Sequence, residues 1–150
     1  MNANDTQVAG NHYQSTYQHW DLVHDAKLGY FEGQITKYIT RHRSKNGVED
    51  IMKARHYTLK LLDLVRKHDY KPKWYPLSLP AWNTYVAANK LGVLEHVLLM
   101  SACGWTCPQD LEMLFERLTM LVREYDRATA PEIEHMRDTG EPGPAYVNQG

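Results

Sequence analysis

Gly33, Lys37, Arg41 and Lys45 recur at every fourth position, so on a helix they project from one side. Three cations in a row suit phosphate: Arg41 offers a two-pronged fork and Lys37 a mobile point charge. Arg43 adds a further cation beside them. Downstream, Asp50, Lys53 and Tyr57 stand at i, i+3 and i+7 and make a second such face. Glu32 and Asp50 are the carboxylates that a hairpin could bring together near bound phosphates. Such a pair is a candidate ligand set for Mg2+, which prefers one or two carboxylates plus phosphate oxygens. Each carboxylate could equally be paired with a neighbouring Lys or Arg. Tyr13, Trp20, Tyr30, Tyr38 and Tyr57 are interleaved with these groups. They could stack a base, or pack as core residues with the hydroxyl at the surface.

The charge distribution points the same way. The formal total is −1, yet residues 37 to 73 carry eleven Lys or Arg against four acids, a local +7. Residues 1 to 36 stand at −3 and residues 74 to 150 at −5. A cationic third on an acidic chain favours an anionic ligand: a nucleotide, a polynucleotide or an acidic partner. Eight histidines invite a metal reading, but His19 with His24, and His42 with His56, lack a third ligand, and no HExxH occurs. Cys103 and Cys107, in "CGWTC", lack zinc-site spacing and read as structural thiols.

These side chains must be held by helices. With 150 residues, 43% of them hydrophobic and 23% charged, the chain can bury the core of one domain. Phe31, Ile35, Tyr38 and Ile39 predict a helix over about 29–43, and "SKNG" ends it. Asn46 and Glu49 form a capping-box pattern for a second helix over about 48–68, giving an αα-hairpin. A short helix is expected around 17–27, and two more over 81–88 and 91–102, beyond the proline-rich connector "YKPKWYPLSLP". A long one follows "TCPQD", capped by Thr106 with Gln109 three residues on. The expectation is an all-α single domain of about five helices over 12–127, with the charged hairpin at 28–68 and a second helical part at 79–127. Residues 1–11 and 128–150 read as loose ends. The second part repeats the hydrophobic pattern of the first, with Glu32 over Glu95 and Asp50 over Asp110, which suggests a duplicated hairpin. Trp74, Trp82, Trp105 and the tail suggest apolar surface for a homo-oligomer. No run is long enough to span a membrane, and the start lacks a secretory pattern, so a cytoplasmic protein is expected.

Familiar phosphate and catalytic motifs are absent: no GxxxxGK[ST], no GxGxxG, no GxSxG, and no EExxE array of the helical pyrophosphohydrolases. Instead, "NHYQ", "WDLV" and "EGQITKYITRHRSKNGVEDIMKARHY" closely resemble the small SaV-like domain of unknown function found in many tailed phages. That family's pattern appears here as His12 and Tyr13, then Gly33, Lys37, Tyr38 and Arg41, then Lys45 and Gly47, and finally Asp50, Lys53, Ala54 and Tyr57. Gln34 stands for the usual Asn and Ile51 for the usual Leu. The family includes a podophage nucleotide kinase without a P-loop. The resemblance therefore implies a phage-encoded protein of the infected host cytoplasm that phosphorylates deoxynucleoside monophosphates from ATP as a homo-oligomer. On this reading Lys37 and Arg41 are catalytic, Glu32 and Asp50 hold Mg2+, and His12, Tyr13, Gly33, Tyr38, Arg43, Lys45, Lys53 and Tyr57 bind nucleotide. Two alternatives stand beside it: a non-enzymatic protein binding nucleic acid or a host factor through residues 37–73, and a helical nucleotide hydrolase.

Overall fold

A computed structural model describes residues 3–6, 15–72 and 75–130. After a 3-10 turn at Ala3–Asp5, six helices follow: α1 His19–Asp25, α2 Tyr30–Arg41, α3 Val48–His68, α4 Leu79–Ala88, α5 Val93–Cys103 and α6 Pro108–Thr129. No strand occurs among the described residues. The all-α expectation holds, with six helices rather than about five. The loose ends expected at 1–11 and from residue 128 fall largely outside the described residues, but α6 continues as helix to Thr129.

Helix ends follow local chemistry, one residue away from where the capping patterns suggested. α3 is capped at Gly47, not Asn46, and its third residue is Asp50, whose carboxylate accepts from the Asn46 backbone N–H at 3.4 Å. α6 is capped at Cys107, not Thr106. Asp110 accepts there from the Thr106 and Cys107 backbone N–H groups and from the Thr106 hydroxyl. In both cases the shorter Asp reaches back over the first turn, where the helix dipole favours an anion. Pro108 supplies the first residue of α6, where a missing N–H costs nothing. Residues 42–47 turn the chain between α2 and α3, and the Gly47 N–H closes them on the His42 carbonyl at 2.8 Å. Gly47 has φ +55° and ψ −125°, a conformation suited to glycine.

The architecture is a repeat of a short helix followed by a long one. α2 and α3, of 12 and 21 residues, are matched by α5 and α6, of 11 and 22. α3 packs along both α2 and α6, α2 packs on α5, and α1 covers α2. Ile35, Ile39, Ile51 and Leu61 meet Leu98, Leu111, Leu114 and Leu118 in the shared core, all fully buried. Burial of these stripes is the main support of each helix. Trp82 and Trp105 are inside this core, so they supply no outer surface for assembly, and Trp74 lies outside the described residues.

The repeat is visible in its polar groups as well. Glu32 is the third residue of α2 after its Gly29 cap, and Glu95 is the third of α5 after Gly92. Both are buried. Ten residues beyond Glu95, Trp105 donates its indole N–H to Glu32 at 3.1 Å. Ten residues beyond Glu32, His42 bonds Glu95 at 2.8 Å. Each hairpin thus supplies a ring nitrogen to the other's buried carboxylate, and Glu32 Oε2 is left buried with no hydrogen-bond partner among the described residues.

Candidate functional site

Tyr38 stands at the centre of the charged face. In the last turn of α2, its ring has the Lys37 ammonium 4.7 Å and the Arg41 guanidinium 4.8 Å from its centroid. Lys53 reaches the same ring from α3 at 5.7 Å. Tyr57, one turn beyond Lys53, stacks on Tyr38 with centroids 5.9 Å apart and planes 20° apart. Tyr30 meets Tyr57 edge-on at 6.2 Å, and their hydroxyl hydrogen bond, with burial second, raises the Tyr57 pKa. Helical spacing produces this arrangement: 37, 38 and 41 share one side of α2, and 50, 53 and 57 share one side of α3.

The cations differ in how much charge remains for a ligand. Arg41 forks onto Asp50, with Nε at 3.1 Å from Oδ2 and the terminal nitrogen at 3.0 Å from Oδ1, and Asp50 is fully buried. That bidentate pair fixes the guanidinium plane over Tyr38 and satisfies both carboxylate oxygens. Lys53 pairs with Glu49 at 2.6 Å; this hydrogen bond raises the Lys53 pKa, but the pair is exposed and contributes little to stability. Lys37 has no ion pair among the described residues and lies half-buried beside α1. Burial, with the Lys37 charge second, lowers the pKa of His19 on α1 to about 4. His19 is therefore neutral near pH 7 and bonds the Thr36 hydroxyl at 2.8 Å.

Other residues singled out in the sequence lie elsewhere. Gly33 faces α1: a Cβ there would meet Val23 at 3.7 Å. Arg43 turns away from Tyr38 to bond Glu95, and Lys45 is exposed in the turn. His12 and Tyr13 lie outside the described residues. Glu32 and Asp50 sit at opposite ends of α2. Nine residues separate Glu32 from Arg41, the partner of Asp50, which is roughly 13 Å along the helix. Asp50 is occupied by Arg41, and Glu32 is sealed beneath Trp105. The two carboxylates do not fit a shared Mg2+ site, and among the described residues no group of three or more His, Cys, Asp or Glu could hold a metal ion.

Sequence reasoning missed the buried network behind this face. His42 bonds Glu95 through Nε2 and the Tyr125 hydroxyl through Nδ1 at 2.6 Å, tying the turn after Arg41 to α5 and α6. Burial raises the Glu95 pKa, but hydrogen bonds from Arg43 and His42 outweigh it and hold the carboxyl down at about 2. Burial lowers the His42 pKa against the upward pull of the Glu95 hydrogen bond. The available signal was a glutamate inside the apolar run 93–100.

The fold and site together define a duplicated helical hairpin with a cation-ringed tyrosine on its first copy. A family model described as a protein of unknown function (DUF3310) matches residues 9–59, which span α1, α2 and the first half of α3 and so include the Tyr38 cluster. No curated protein and no solved structure matches the chain. No described helix is long and apolar enough to cross a membrane.

Proposed function

We propose that this chain binds a nucleotide at Tyr38 and acts as a P-loop-independent deoxynucleoside-monophosphate kinase of phage origin, working in the host cytoplasm with ATP as donor. The observation that carries the reading is the convergence of Lys37, Arg41 and Lys53 on the ring of Tyr38. Phosphoryl transfer asks mainly for positioning and charge neutralisation, which such a face supplies. Lys37, without an acid partner among the described residues, is the group that moves to the transferring phosphoryl. Arg41, held by Asp50, is the fixed charge that orients it. Mg2+ arrives on the phosphates of ATP rather than on a Glu32–Asp50 pair. Homo-oligomer formation is part of the proposal, supported by Val93, Val97 and Met100, exposed along one side of α5.

The test is chromatography of products after incubation with ATP, Mg2+ and each deoxynucleoside monophosphate. ADP and deoxynucleoside diphosphate should appear in equal amounts. Lys37→Ala should lower kcat/KM by about 100-fold, the scale of one preorganised charge contact. Release of free phosphate or pyrophosphate without an acceptor product would instead make the protein a hydrolase.

A second reading has its own support: Tyr30, Tyr57 and Tyr38 form a row flanked by cations, a surface on which successive bases of a single strand can stack. Affinity for DNA or RNA that falls steeply with salt, with no nucleotide turnover, would establish that reading.

A further inference from the structure

Beside the Tyr38 cluster the surface is hollowed into an open groove of about 570 Å³ running along α3 to α6. Tyr38, Lys53 and Tyr57 line its near end and Phe115 of α6 its far end. We propose that this groove is the subsite for the base of the bound nucleotide, an inference that rests on the phosphate standing at Lys37 and Lys53.

Its volume lies within the roughly 300–1,000 Å³ of small-molecule sites. The far wall is a stacked pair, with the Arg55 guanidinium 5.7 Å from the centre of the Phe115 ring. A guanidinium backed by an aromatic ring gives a flat, polarised surface on which a purine or pyrimidine stacks. Met52 and Leu59, both exposed, supply an apolar lining. His56 lies on the same stretch of α3 and offers ring nitrogens to a base edge. Lys53 and Arg55 both line this groove, so one molecule can place its phosphate at the cationic end and its ring over Arg55. An apolar peptide fits less well, because it would bury the Arg55 guanidinium, which has no ion pair among the described residues, and the charged Lys53–Glu49 pair.

Calorimetric titration of the full chain with the four deoxynucleoside monophosphates and with deoxyribose 5-phosphate separates the two ends of the site. At least one nucleotide should bind about tenfold or more tightly than the baseless sugar phosphate, the scale of one stacked base. Phe115→Ala should remove most of that advantage while leaving affinity for deoxyribose 5-phosphate unchanged. Met52 is 48% exposed, so Met52→Trp fills the groove without opening the core and should act likewise should Phe115→Ala not fold. Equal affinity for nucleotides and sugar phosphate would overturn the base subsite and leave the phosphate site standing. A nucleotide advantage that survives both substitutions would overturn the subsite in the same way. Binding of neither ligand would overturn the nucleotide reading itself, and this inference with it.

Discussion

At the level of single side chains, Arg41 and Lys37 look alike in sequence and differ in structure. Removing Arg41 strands a fully buried Asp50 carboxylate, so Arg41→Ala should destabilise the fold by about 3 kcal/mol, as broken buried pairs do. Lys37→Ala leaves no carboxylate unpaired and should cost less than about 0.5 kcal/mol. Chemical denaturation of the two variants checks both values, and it decides which one reports on chemistry. The four-residue spacing was enough to place Lys37 and Arg41 together. It could not say that Asp50 would close on Arg41 rather than face Glu32, because that depends on how the turn at 42–47 directs α3. Gly33 misled for a related reason: periodicity assigns a side of the helix, but not what covers it, and α1 does.

Among the elements, the helices were legible because apolar residues recur every three to four positions, and each stripe is buried as its period requires. The caps were misread by one residue, because Asn46 with Glu49 and Thr106 with Gln109 match the capping pattern while Asp50 and Asp110 make the bonds. Gly47 and Gly33 make opposite predictions. Gly47 sits at φ +55° with ψ −125°, so Gly47→Ala should destabilise by on the order of 2 kcal/mol. Gly33 is inside α2 with ordinary room for a methyl group, so Gly33→Ala should stabilise by about 0.5–1 kcal/mol. Thermal unfolding of both variants reads the contrast.

In the whole molecule, two hairpins exchange partners for their buried glutamates, and the first alone carries the charged face. The duplication could be glimpsed from the alignment of Glu32 with Glu95, but the exchange through His42 and Trp105 is a tertiary fact that no local pattern encodes. It has a consequence in acid. The Glu95 pKa falls from 4.5 when unfolded to about 2 when folded, so its contribution is present above about 4.5 and is lost as pH falls towards 2. Glu95→Gln should therefore show a shallower loss of stability over that window in urea melts taken at successive pH values. Nucleotide capture by the charged face is best probed by calorimetry with deoxynucleoside monophosphates, comparing the wild-type chain with the Lys37→Ala, Lys53→Ala double variant. The wild type should bind, and the double variant, still folded, should lose at least about tenfold in affinity, since two charge contacts to phosphate are removed. Unchanged affinity in the double variant, or no binding by the wild type, would mean that the Tyr38 face does not hold a nucleotide.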